Sequence, residues 1–295
     1  MAGRRVAITG PGGRLGRALV ASFTTAGWDV LGWGRPAYDL DDPSAAERHV
    51  GRDRPEIVVH AAAWTDVDGC ARDAQLAQRR NAIAVEELAT SCVSHRVDLV
   101  IISTNEVFDG WRKTGRGYVE TDRTRPINAY GASKLDGEAA ARRAFAGAST
   151  PRLWIVRTSW LYGPPGNDFP SKIIGAADRL APGEALRVVG DEIGSPTYAV
   201  DLADGILGLV KAGTPGLYHL TNAGRSSRLE WAAHVLARCR PRVPIDPIRQ
   251  RDYPRPSSPP PWGVLACGRA ARQGVKLRSW RDALDDYLDA LCPAR

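Results

Sequence analysis

The chain has 295 residues, 43% hydrophobic and 25% charged, with a formal net charge of +7. That apolar content excludes general disorder and is ample for a real core, and no apolar run approaches the ~20 residues a membrane-spanning helix needs. The basic balance suits an anionic partner, yet no run of basic residues and no recognised binding motif accompanies it, so neither nucleic acid nor a membrane is an expected partner. The five cysteines, Cys70, Cys92, Cys239, Cys267 and Cys292, are odd in number and show no CxxC spacing. Neither a disulfide framework nor a metal site is expected. With no secretory pattern at the N-terminus, a reducing cytoplasm is the expected location.

In chain order, residues 6–9 read as a buried strand. Leu15, Leu19, Phe23 and Ala26 then recur at helical spacing and Gly27 marks the stop. Short strands follow at 30–31, 57–61, 99–103 and 153–156. Helical stretches are expected from about 76 to 91 and from 130 to 145. Alternating helices and continuous apolar strands predict a parallel sheet covered on both faces. The fold class is therefore α/β, a Rossmann-like doubly wound sheet with ligands at the carboxyl ends of its strands. Beyond about residue 160 prolines and glycines loosen the pattern. A smaller C-terminal substrate lobe over 161–295 is expected beside a dinucleotide domain over 1–160, with a soft boundary because strands there can return to the main sheet. Trp280, Ala283, Leu284, Tyr287, Leu288 and Leu291 form a final amphipathic helix.

The first strand ends in Gly10, Gly13 and Gly16, a G-x-x-G-x-x-G turn opening a helix. Such glycines permit a tight turn, close approach to a pyrophosphate and close helix–strand packing, and the helix N-terminus offers N–H groups to phosphate. No Gly-Lys-Ser/Thr follows, which excludes a Walker loop. The second strand carries no carboxylate at its tip, where NAD enzymes hold the ribose 2′-hydroxyl. Arg14 and Arg35 would instead face a 2′-phosphate. NADPH is the expected cofactor, with NADH as the alternative.

Tyr130 and Lys134 stand four apart, on one face of a helix. The ammonium is expected to lower the phenol pKa and ready it for proton exchange with a carbonyl or alcohol. Thr104 closes the fourth strand, where a hydroxyl points into the ligand crevice. The glycine turn, Asn81, Thr104, Tyr130 and Lys134 together resemble the extended short-chain dehydrogenase/reductases. Segments 61–68 (AAAWTDVD), 103–110 (STNEVFDG), 126–134 (PINAYGASK), 157–163 (RTSWLYG), 191–197 (DEIGSPT) and 279–284 (SWRDAL) narrow the resemblance to the dTDP-4-dehydrorhamnose reductase branch.

The resemblance implies hydride delivery from a nicotinamide to the C4 ketone of a nucleotide-activated, dTDP-linked 4-keto-6-deoxysugar. Tyr130 would supply the proton, Thr104 would orient the ketone oxygen and Lys134 would hold the nicotinamide ribose. Cofactor contacts are expected from Gly10, Gly13, Arg14, Leu15, Gly16, Arg35, Ala61, Ala62, Ala63, Asn81, Ser103, Tyr130 and Lys134, with Asn81 also propping the catalytic helix. Sugar contacts are expected from Thr65, Val67, Thr104, Glu106, Trp160, Ser195 and Thr197. The sequence departs from the branch at Asn105 and Glu106, where an Asp-Tyr pair is usual, at Glu192 and at Ala266. A homodimer is expected. Two rival readings share these motifs: a non-catalytic NADP-binding regulatory subunit, and a nucleotide-sugar epimerase with bound NAD.

Overall fold

The computed structural model describes residues 4–112 and 114–292. Strand β1 (Arg5–Thr9) alternates its side chains, so Val6 and Ile8 enter one hydrophobic layer and Ala7 the other. Helix α1 (Arg14–Thr25) follows the glycine turn, then β2 (Asp29–Trp33), α2 (Ala45–Asp53) and β3 (Ile57–His60). After α3 (Val67–Arg72), the stretch expected as one helix is broken into α4 (Ala74–Gln78), a π turn over Arg79–Ile83 and α5 (Ala84–Ser94). Strand β4 (Asp98–Thr104), helix α6 (Ala129–Ala144) and strand β5 (Leu153–Thr158) complete the first half.

Next come β6 (Leu161–Tyr162), α7 (Phe169–Ala177), β7 (Leu186–Val189), β8 (Ile193–Gly194), β9 (Thr197–Tyr198) and α8 (Ala199–Ala212). Strand β10 (Gly216–His219), β11 (Ser226–Ser227), α9 (Arg228–Cys239), β12 (Ile245–Ile248), α10 (Gly268–Arg272) and α11 (Trp280–Leu291) end the described chain.

The main sheet has six strands in the order β2-β1-β3-β4-β5-β10, and every pairing is parallel. The order reverses between β1 and β3, which makes the crevice above their carboxyl ends the expected ligand site. Leu15, Leu19 and Phe23 of α1 and Leu202, Ile206 and Leu209 of α8 cover one face. Val50 of α2, Val85 and Leu88 of α5 and Phe145 after α6 cover the other. The sixth strand, β10, and the covering helix α8 both come from beyond residue 160.

A second core joins Ile173 of α7, Val188 of β7, Trp231 and Val235 of α9, and Trp280, Leu284 and Leu288 of α11. In α11 the expected apolar stripe is buried except Leu291, which is 37% exposed. Packing of α9 with α11 in this core corrects one expectation. Cys239 and Cys292, 53 residues apart, are joined in a disulfide with their Cα atoms 5.7 Å apart. Linear spacing carries no sign of such a bridge, because only the meeting of two helix ends creates it.

Candidate active site

A cleft of about 610 Å³ opens over the β1/β3 switch point and runs across the ends of β4 and β5. Its floor at one end is the glycine turn. A Cβ at Gly16 would stand 2.0 Å from the Gly10 carbonyl oxygen, and Gly10 itself has φ +64° and touches Ala62. Larger residues would force β1, α1 and the segment after β3 apart. The backbones of Gly10, Gly13, Arg14, Leu15 and Gly16 line the cleft, with Ala61, Ala62 and Ala63 opposite. Two polar atoms in its wall, His60 Nε2 and Thr158 Oγ1, are buried without a partner among the described residues. A narrow glycine cradle beside unpaired polar atoms fits a dinucleotide.

Arg14 departs from its expected role. Its guanidinium donates to the carbonyl oxygens of Gly163 and Gly166 at 3.2 and 2.8 Å, tying the loop after β6 to the start of α1. Arg35 is exposed at the rim of the same end, close to Asp39, Leu40 and Arg80. Arg80 is paired with Asp41 through two contacts of 2.8 and 2.6 Å. Arg35 has no hydrogen-bond or ion-pair partner among the described residues.

At the other end α6 presents Tyr130 and Lys134. Asn128 caps this helix, its Oδ1 accepting from the Gly131 N–H at 2.8 Å. Gly131 lies hard against the turn that closes β4, where a Cβ would stand 2.1 Å from the Glu106 carbonyl oxygen. That contact sets the first turn of α6 beside the end of β4. Thr104 is buried and its hydroxyl donates to Asn105 Oδ1 at 3.4 Å. Thr104, Tyr130 and Lys134 all line the cleft.

The electrostatics correct the expected acidification. Burial holds the Tyr130 pKa above its ordinary value of 10.0, and the Glu106 carboxyl adds to the rise, while the Thr104 hydroxyl opposes it. Lys134 is pushed down to about 8 by burial, with Glu138 and Cys70 opposing. The loss of water dominates at both groups. The phenol therefore stays protonated, a form suited to donating a proton.

Asn81 does not line the cleft. Its amide accepts from the Trp64 N–H at 2.9 Å and donates to the Trp64 carbonyl at 3.0 Å and the Ser133 hydroxyl at 3.1 Å. It joins the segment after β3 to α6, which is the propping role, and its side chain is fully engaged before any cofactor arrives. Ser103 lies in the wall, but its hydroxyl donates to Glu138 at 2.5 Å. Glu138 is in turn held by Arg157 through bonds of 2.7 and 2.6 Å, both residues being buried.

Thr65, Val67, Glu106 and Trp160 also line the cleft. Trp160 has φ 46° and packs against both the Arg228 guanidinium, 3.7 Å from its ring, and the parallel ring of Trp231. A Cβ at Gly194 would come within 2.5 Å of the indole, so the glycine of the 191–197 segment is the seat of that ring. Ser195 and Thr197 correct the expected sugar contacts. Both are fully buried behind the wall, with the Ser195 carbonyl accepting from Ser159 at 2.6 Å and Thr197 at 3.1 Å, and the Ser195 hydroxyl donating to Gly224 at 3.3 Å.

Sequence reasoning missed Arg228, Thr158 and Ser159, which line the cleft, and Asn128, which orders it. Asn128 had a usable signal, an Asn directly before a helix. Arg228 had none, since it reaches the cleft only because α9 packs there.

A model of the RmlD substrate binding domain matches residues 4–292. The chain belongs to the RmlD substrate-binding domain family. Within the family, the dTDP-4-dehydrorhamnose reductase of Mycobacterium tuberculosis is 38% identical over 98% of this chain and 95% of its own. The crystal structure of a dTDP-4-dehydrorhamnose reductase from Clostridium acetobutylicum superimposes with a TM-score of 0.90 at 31% identity, covering 97% of this chain and 99% of the other. The enzyme of the same name from Bacillus anthracis, solved in complex with NADP, gives a TM-score of 0.88 at 31% identity, covering 98% and 99%.

Proposed function

We propose that the protein is an NADPH-dependent oxidoreductase that reduces the C4 ketone of a nucleotide-linked 4-keto-6-deoxysugar, the kind of reaction for which its relatives are named. The observation that carries this reading is the meeting of Thr104, Tyr130 and Lys134 in one cleft with the glycine turn. NADPH, when bound, supplies the hydride. The backbone N–H groups at the start of α1 hold the pyrophosphate and Arg35 the 2′-phosphate. Thr104 donates a hydrogen bond to the ketone oxygen and orients it. Tyr130, kept protonated by burial, gives its proton to that oxygen as charge develops there. Lys134 stabilises the phenolate left behind and bonds the nicotinamide ribose. Residues 1–160 serve the dinucleotide and most of 161–295 the sugar, with α8 and β10 returning to the dinucleotide half.

The test is NADPH oxidation against a panel of dTDP-linked 4-keto-6-deoxysugars. Stoichiometric oxidation with appearance of the C4 alcohol is expected. Epimerised product without net oxidation would indicate the epimerase reading. No oxidation with any member, together with a stoichiometric enzyme partner in a pulldown, would indicate the regulatory one.

A further inference from the structure

Glu106 is a carboxyl inside the reaction cleft that the proton and hydride transfers do not use. It follows Thr104 in the turn closing β4, and its backbone N–H donates to the Thr104 hydroxyl at 3.2 Å. Its carbonyl is wedged against Gly131 in the first turn of α6, beside Tyr130. One carboxylate oxygen, Oε2, accepts from Asn128 Nδ2 at 2.6 Å. The same amide nitrogen donates to the Ser258 carbonyl at 3.1 Å, so the proline-rich loop of the small lobe braces it. Among the described residues, no donor bonds Oε1.

The two nearby guanidiniums are bound elsewhere. Arg228 pairs with Glu192 at 3.0 Å and Arg255 with Asp68 at 3.0 Å. Burial and Glu192 push the Glu106 carboxyl up to about 7, against the pull of Asn128 and the two arginines. Oε1 has no donor within the protein and Glu106 lines the cleft, so this oxygen is open to an arriving hydrogen-bond donor. In the cleft, the arriving donor belongs to the substrate.

The position narrows what that donor is. Thr104 holds the ketone oxygen, and Glu106 is bonded to Thr104 directly. In a 4-keto-6-deoxyhexose the ring carbon on one side of the ketone carries a methyl group and the ring oxygen, neither of which can donate. The carbon on the other side, C3, carries a hydroxyl or, in amino sugars, an amine. We propose that Glu106 is a specificity-determining residue whose free oxygen accepts a hydrogen bond from a hydroxyl or amino group at C3, so that the enzyme selects nucleotide-linked keto sugars bearing a donor beside the ketone. The proposal rests on the ketoreductase reading.

The experiment compares wild type, Glu106→Ala and Glu106→Gln on three dTDP-linked 4-keto-6-deoxysugars: the 3-hydroxy sugar, its 3-amino analogue and its 3-deoxy analogue. NADPH binding, followed by fluorescence, reports that each variant is folded. Wild type is expected to prefer both donor-bearing sugars over the 3-deoxy analogue. That preference, as a ratio of kcat/KM, should fall about ten- to a hundredfold in Glu106→Ala, chiefly through KM, and by less in Glu106→Gln. A larger loss on the amine than on the hydroxyl would identify an amino sugar as the better ligand, and the reverse a neutral one. Equal losses on all three sugars, or an unchanged ratio, would overturn the proposal while leaving the ketoreductase reading intact. Wild type failing to oxidise NADPH with all three would overturn both.

Discussion

Three ionisable side chains in the cleft have their charge states set by burial. Tyr130 stays protonated, Lys134 is brought down to about 8 and Glu106 up to about 7. Tyr130→Phe should retain NADPH binding within about threefold and lose at least about a hundredfold in turnover, measured by stopped-flow oxidation. Turnover should fall as pH rises through about 8, because Lys134 loses the charge that stabilises the phenolate. Replacing Lys134 with Met should remove that limb of the pH–rate profile along with most activity. Glu106 has a folded value above its ordinary 4.5. Its protonated form therefore favours the fold below the ordinary value, and that contribution is lost as pH rises through about 7. Urea titrations at pH 5 and pH 8 should show Glu106→Gln gaining ~1–3 kcal/mol on wild type across that interval. The Tyr–Lys pair, the terminal Thr and the glycine turn are legible as residues. Their charge states are not, since these depend on how much water the surrounding helices exclude.

Among elements, α6 and the turn before β6 carry the site. Asn128 caps α6 and tethers Glu106 at once, so Asn128→Ala should cost ~1 kcal/mol in stability and raise KM more than it lowers kcat. Trp160 holds a left-handed backbone and rests on Gly194. Backbone strain of this kind persists only where the surroundings over-determine it, and here the ring is held by Gly194, the Arg228 guanidinium and Trp231 together. Gly194→Ala should displace the indole, raising KM for the sugar nucleotide about tenfold while leaving NADPH affinity unchanged in a fluorescence titration. Periodicity located α1, α6 and α11. It did not show the π turn at 79–83, which lies at Asn81, because apolar spacing barely changes when one residue is added to a turn.

For the whole molecule, the buried Glu138–Arg157 pair links α6 to β5, and Ser103 extends it to β4. Removing one partner leaves a charge buried without its counterpart. Glu138→Ala should therefore cost ~3–5 kcal/mol, seen as a lower urea midpoint. The cleft is lined by residues at the carboxyl ends of the sheet strands and by Trp160 and Arg228, which pack against the second core.

The strands, the glycine turn and the Tyr–Lys pair could be read from the chain because each is encoded within one strand, one turn or one helix, where spacing alone dictates which side chains share a face, and Thr104 joined them through the family resemblance. Folding decided the remainder. Arg14 was turned to the 163–166 loop, Ser195 and Thr197 were withdrawn behind the wall, Arg228 was brought into the cleft and Cys239 was set against Cys292. Each of these involves groups from segments distant along the chain, whose meeting and whose loss of water come only from packing one layer against another.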